Sequence, residues 1–266
     1  MNEQIPERGI PMIETFKVTI TPLNRQRTVR VFVPKDYHES ERRYPVLYMH
    51  DGQNIFTDKE ANYSASWGIG EYLDESGLDL IVVGIDCNVF GYGRYNEYSP
   101  WKSNTGAKVL FNSDKIIGGE GDAYIRYIAE ELKPSIDQKY RTIADETAMA
   151  GSSMGGLIST YAACMYPQIF KKIASISSAY YFNQKEIEEL IAKSDLSAIE
   201  RFYMDIGTNE VSARVTPEMY VASNEAVYPL LKGKVKNCRF DIIEGAAHHE
   251  KDWRKRVPEI FEYLFS

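Results

Sequence analysis

The sequence is poor in cysteine, has no cationic excess and contains no long uncharged run, and each shortage removes a class of function. Its three cysteines, Cys87, Cys164 and Cys238, are odd in number, far apart and without Cys-x-x-Cys spacing. Neither a disulfide framework nor a zinc site is expected, and a reducing compartment fits better. Lys and Arg number 31 against 38 Asp and Glu, a net charge of −7, and the cations are scattered instead of gathered into a stripe. A nucleic-acid partner is therefore not expected. No uncharged stretch is long enough to cross a bilayer, and residues 1–9 carry no apolar leader segment, which together point to a cytoplasmic protein with no membrane association. Nothing in the sequence bears on oligomeric state.

What is present is apolar and periodic. The chain of 266 residues is 44% hydrophobic, enough for one large α/β core. Residues 16–20 and 28–33 alternate apolar with polar, as half-buried antiparallel strands do. Residues 46–49 and 80–85 are nearly continuous apolar runs, the mark of parallel strands covered on both faces. Strands are also expected at 147–151, 173–177, 202–206 and 238–243, and helices at 67–75, 123–140, 184–198, 217–232 and 253–264. Residues 87–121 read as a loop rich in Gly, Tyr and Asn. Strands alternating with helices predict a doubly wound, mainly parallel sheet with helices on both faces, and neither a linker nor a repeat divides residues 1–266 into more than one domain.

Gly151-Ser152-Ser153-Met154-Gly155 lies where a short apolar strand ends and an amphipathic helix begins. A serine on such a turn needs small residues two before and two after it, because the backbone is strained and side chains there would collide. Gly151 and Gly155 meet that need, and Ser153 becomes a candidate nucleophile. An acyl-transfer serine requires a base, an acid that orients the base, and an oxyanion hole. Only His248 and His249 follow Ser153, in the loop after the last strand. Adjacent residues cannot both aim at one serine, so one of the pair is a neighbour, or with Glu250 part of a solvated face. The acid is Glu210, in the turn after the strand at 202–206, or Asp205 inside that strand. The oxyanion donors are the backbone N–H of Met154 and one from the loop His50-Asp51-Gly52-Gln53, where Gln53 is the candidate. His248-His249-Glu250 lacks the His-Glu-x-x-His spacing, so no metal site is read there.

With these residues in place the chain resembles the putative esterase, or esterase D-like, family of α/β-hydrolases. That family includes feruloyl and acetyl esterases, S-formylglutathione hydrolase, siderophore trilactone esterases and mycolyltransferases. The resemblance runs from about residue 16 to 265 and is carried by residues 48–54, 151–156, 207–210 and 245–253. It implies the α/β-hydrolase fold, no cofactor, and ester hydrolysis through an acyl-enzyme on a small-molecule ester. A family histidine five residues before a tryptophan selects His248, ahead of Trp253. The family acid falls at Glu210, where many members carry Asp. Strand alternation agrees, since Asp205 shares a face with Tyr203 below the catalytic edge while Glu210 has passed it.

The aromatic loop at 90–101, with Arg94 and Tyr95, and the segment Tyr180-Tyr181-Phe182 are placed to line the pocket, where aromatic walls suit a phenolic acyl group or a sugar ring. Arg94 and Glu97 also read as an ion pair that fixes this loop. The expectation is thus a serine carboxylesterase acting on acetylated or feruloylated sugar-type esters. Its rivals are an acyltransferase of the same fold and a non-catalytic binding module.

Overall fold

The computed structural model describes residues 12–266; the amino-terminal stretch examined for a leader lies outside them. The described residues open with β1 (Met12–Ile20) and β2 (Arg25–Val33), paired antiparallel. β3 (Tyr44–His50), α1 (Ile69–Ser76) and β4 (Ile81–Ile85) follow. The expected loop at 87–121 is more structured than its composition suggests. It holds α2 (Gly93–Glu97), β5 (Lys102–Ser103), α3 (Thr105–Phe111) and β6 (Ile117–Gly118), the two short strands pairing with each other. Elements this short leave no periodicity to read.

The single helix expected over 123–140 is α4 (Gly121–Tyr127) and α5 (Lys133–Lys139), joined without a break by a π-helical turn at Ile128–Leu132. Then come β7 (Thr142–Ser152), α6 (Met154–Met165), β8 (Lys172–Ile176), α7 (Gln184–Lys193) and β9 (Arg201–Gly207). α8 (Pro217–Lys232) starts on a Thr216 cap with Pro at its first position, and β10 (Cys238–Ile243) and α9 (Glu250–Phe265) complete the chain.

Among the described residues eight strands form the main sheet in the order β1-β2-β4-β3-β7-β8-β9-β10, antiparallel through β4 and parallel from β4 onward. Alternation along each strand divides the core between two faces. Val46, Tyr48, Ile81 and Val83 pack with Tyr124, Ile128, Leu157 and Ile158 of α4, the π turn and α6. Leu47, Met49, Val82 and Ala148 pack on the other side with Ile69 and Leu73 of α1 and Trp253, Val257 and Ile260 of α9. β3 and β4 bury both faces, which is why they read as unbroken apolar runs. Among the described residues no helix is long and apolar enough to cross a membrane.

Parallel strands deliver their carboxyl ends to one edge, where ligands of open α/β sheets bind. β3, β7, β9 and β10 end there, and the segments that follow them carry Gln53, Ser153, Glu210 and His248.

Candidate active site

Ser153 links β7 directly to α6 with φ 59° and ψ −122°, a conformation costly for any residue with a Cβ. Hydrogen bonds on both sides impose it. Ser153 N donates to Ile176 O at 2.9 Å, and Ser153 O accepts from Gly156 N at 3.0 Å and Ala179 N at 3.1 Å. A Cβ on Gly151 would lie 2.7 Å from the Gly155 carbonyl carbon, so the turn closes only with glycine there. The N–H of Met154 opens α6 and donates to no acceptor among the described residues, as the first turn of a helix allows.

His248 Nδ1 lies 2.6 Å from Glu210 Oε2. Glu210 is fully buried, while His248 keeps 14% of its side chain exposed. The other oxygen of Glu210 accepts from Gly207 N at 2.8 Å and from the Ser177 hydroxyl. Ser177 Oγ is in turn held by Trp253 Nε1 at 2.9 Å and Arg256 Nη2 at 3.2 Å. The His248 ring packs between Tyr220 and the Trp253 edge, each centroid 5.0 Å away. Gly207 brings the two loops together. A Cβ there would stand 2.2 Å from the Ala246 carbonyl oxygen, so its small size admits the His248 loop.

Asp205, the competing carboxylate, faces elsewhere. Its Oδ1 is 2.7 Å from Arg256 Nη1, and its Oδ2 accepts from Tyr203 OH at 3.2 Å. Burial, opposed by Arg256, pushes its carboxyl up to about 6.

Ser153 and His248 line one cavity of 340 Å³ together with Asp51, Asn54, Tyr63, Arg94, Tyr95, His249, Glu250 and Trp253. No hydrogen bond joins Ser153 to His248, although both line the cavity. Gln53 sits in a single 3-10 turn at Gly52–Asn54. Its side chain pins that turn to the end of β4, accepting from Cys87 N at 3.0 Å and donating to Cys87 Sγ at 3.1 Å. The Gln53 N–H, like that of Met154, has no acceptor among the described residues, and neither residue contributes a side chain to the cavity.

Several expected contacts differ. Arg94 does not pair with Glu97. It grips Asp51 with Nε at 2.7 Å and Nη2 at 2.8 Å, whereas Glu97 is taken by Arg27 at 2.7 Å. Burial works against the Arg94 charge and Asp51 outweighs it, holding the guanidinium well above its ordinary range. Tyr95 lines the cavity, but Tyr180 does not reach it. Tyr180 is fully buried, its hydroxyl spent 2.7 Å from both Thr160 Oγ1 and Ser175 Oγ. Tyr181 is also outside the lining, stacked edge-on against Tyr220. Glu250 is not part of a solvated face, being only 4% exposed. Asp51, Asn54, Asn62, Tyr63, Val211 and Ser212 also line the cavity without standing out in the sequence as site residues; Asp51 and Asn54 flank the oxyanion candidate within one motif, a usable signal. Among the described residues no group of His, Cys, Asp and Glu could hold a metal ion.

The chain matches the family model described as "Putative esterase" over residues 20–264. It is 26% identical over 245 residues to the uncharacterized protein YbbA of Bacillus subtilis (strain 168), covering 90% of this chain and 92% of that one. It is 25% identical over 252 residues to an endo-1,4-beta-xylanase/feruloyl esterase of Xylanibacter ruminicola, covering 91% of this chain but 30% of that longer protein. An IroE-like serine hydrolase from Shewanella oneidensis has the same fold, with a TM-score of 0.76 at 19% identity over 95% of this chain and 79% of that one. A family match running from the end of β1 into α9, on a mainly parallel sheet with helices on both faces, means that the chain belongs to the putative esterase family and has the α/β-hydrolase fold.

Proposed function

We propose that the protein is a serine carboxylesterase in which Ser153 is the nucleophile, His248 the base and then the acid, and Glu210 the group that orients His248. The observation that carries this reading is the contact of 2.6 Å between His248 Nδ1 and Glu210 Oε2, at a cavity that also holds the strained Ser153. With Nδ1–H donated to Glu210, Nε2 is left with a lone pair to accept the serine proton. Ser153 Oγ attacks the ester carbonyl as its proton passes to Nε2. The carbonyl electrons move onto oxygen, where the free N–H groups of Met154 and Gln53 are available as donors. Collapse of this intermediate breaks the bond to the alcohol, which leaves with the proton from Nε2. Water then repeats the attack on the acyl-enzyme and releases the acid.

The rim supports water as the acceptor, since His249 and Tyr63 stand 39% and 68% exposed at the cavity. Tyr63 and Tyr95 give the opening aromatic surfaces that suit a phenolic acyl group or a sugar ring. Cys87, Cys164 and Cys238 are buried and unpaired, which supports a reducing, cytoplasmic setting.

The test is labelling of the purified protein by a fluorophosphonate together with release of p-nitrophenol from p-nitrophenyl acetate. Both should vanish in Ser153→Ala while the thermal midpoint stays. A folded Ser153→Ala protein that keeps near-wild-type turnover overturns the assignment, and a wild type that neither labels nor turns over leaves the non-catalytic binding module.

A further inference from the structure

Glu250 opens α9 two residues after His248 and faces the same cavity as Ser153 although it is almost wholly buried. One of its oxygens is committed. Oε1 accepts from Asn54 Nδ2 at 3.0 Å, and Asn54 is itself fixed by accepting the Asn62 N–H at 3.0 Å. The other oxygen, Oε2, accepts from no other residue among the described residues, and the Glu250 backbone N–H lies close enough to the carboxylate to favour its charged form. Its nearest cationic candidate is His249 Nδ1 at 4.0 Å, but that nitrogen already accepts the Lys251 N–H at 3.1 Å and so carries no proton to give. Nor is Oε2 one of the sealed, unpartnered polar atoms among the described residues, which leaves the cavity as its outlet.

Charge points the same way. Asp51 and Arg94 neutralise each other through two hydrogen bonds, so the cavity's uncompensated charge is the carboxylate of Glu250. Burial pushes that carboxyl above its ordinary range, a penalty that a donated hydrogen bond would relieve. A rigidly held, half-satisfied acceptor next to a nucleophile is suited to reading a polar group on the substrate.

Resting on the esterase reading above, we propose that Glu250 selects the substrate. Its free oxygen accepts a hydrogen bond from a hydroxyl or ammonium group carried by the ester, so the site favours polyhydroxylated or cationic esters and rejects those bearing a carboxylate. Asn54 and Arg94 are positioning residues in this scheme, Asn54 holding Glu250 and Arg94 cancelling Asp51.

The experiment uses four acetate esters of cyclohexanol that differ only at ring carbon 4, which carries hydrogen, hydroxyl, ammonium or carboxylate. Acetate release is followed at constant pH for wild type and Glu250→Gln, a variant that keeps an acceptor for Asn54. Wild type should favour the hydroxyl and ammonium esters and turn over the carboxylate ester least. In Glu250→Gln the ratio of kcat/KM for ammonium over carboxylate should fall by about tenfold, mainly through KM, as loss of one charge-assisted contact implies. The separate hydroxyl and ammonium arms tell which donor is read. An unchanged ratio, an equal loss on all four esters, or a wild type that prefers the carboxylate ester overturns the proposal, and the last of these needs no variant. A wild type inert toward every one of these esters and toward p-nitrophenyl acetate is a failure of the esterase reading alone. Calorimetric binding of 4-aminocyclohexanol against 4-hydroxycyclohexanecarboxylate to the Ser153→Ala protein then decides the role of Glu250, equal affinity refuting it.

Discussion

Arg256 Nη1 lies 2.7 Å from Asp205 Oδ1, with the arginine 5% exposed and the aspartate not at all. This pair stands behind the carboxylate that meets His248, because Arg256 also reaches Ser177 Oγ and Ser177 donates to Glu210. Two carboxylates five residues apart in the chain therefore have separate partners. Asp205 neutralises a buried cation, and Glu210 faces the imidazole.

The first prediction follows from that division. Glu210→Gln can keep the Gly207 and Ser177 contacts through its remaining oxygen, but its amide would confront His248 Nδ1 and impose the wrong tautomer. We expect kcat to fall by about 10² to 10⁴, the upper figure being that of the equivalent change in another serine hydrolase, with little change in Tm. Asp205→Asn leaves Arg256 buried without a counter-charge, which costs about 3 to 5 kcal/mol and lowers Tm by about 10 °C. Rates and melting curves for both variants check this, and a folded but inactive Asp205→Asn beside an active Glu210→Gln would reverse the two roles.

Arg94 ties the segment after β3 to the elbow, since its Nη2 reaches Ser152 O at 3.4 Å as well as Asp51. Lysine cannot reproduce the two parallel bonds to Asp51. Arg94→Lys should lower kcat about tenfold or more with KM changed less, because under the proposed mechanism a displaced Gln53 N–H weakens oxyanion binding and leaves ground-state binding largely in place. A variant that raises KM alone would make Arg94 a substrate ligand instead.

The adjacent histidines separate by what they hold. His248 contacts Glu210, whereas His249 caps α9 by accepting the Lys251 N–H at 3.1 Å. His248→Ala should abolish turnover. His249→Ala should cost about 1 kcal/mol of stability, as a lost cap does, and retain most of kcat. Side-by-side kinetics and urea titrations distinguish them, and the reverse pattern would move the base to His249.

What the sequence made legible was local. The helix at Pro217–Lys232 and the strand at Cys238–Ile243 stand at the residues expected from the sequence. The placements of Ser153, Glu210 and His248 were readable because each follows an apolar strand, and parallel strands end on one edge. Contacts between distant segments were not readable. Arg94 was matched with Glu97 on its own loop, yet its partner is Asp51, 43 residues away. Glu250 looked solvated beside His249 because nothing nearby in the chain covers it, and Asn54, which holds it, is 196 residues away. Tyr180 followed a strand end as a pocket residue should, but Thr160 of α6 and Ser175 of β8 offered its hydroxyl buried partners, and the ring turned inward.

The last prediction concerns His50, at the end of β3. Its Nδ1 lies 3.0 Å from Tyr124 OH, its Nε2 is enclosed with no partner among the described residues, and its ring packs against Tyr98 and Tyr124. Burial, together with the nearby Arg94 charge and against that of Asp51, lowers its pKa from 6.5 to about 3. The unfolded chain therefore takes up a proton between these values that the folded protein refuses. Stability from this residue is complete above pH 6.5 and drains away as pH falls toward 3. The slope is about 1.4 kcal/mol per pH unit when one proton is at stake. Asp205, raised to about 6, works in the opposite direction over part of the same range, since there the folded state holds the extra proton. Wild type alone would thus show only the sum, and the measurement has to be a difference. His50→Asn places a polar atom where Nδ1 stands and removes the titrating group. Urea unfolding of both proteins from pH 7 to pH 4.5 should give a wild type that loses more stability toward acid than the variant does, by about one proton's slope. Parallel curves would mean that the imidazole is not held neutral in the fold.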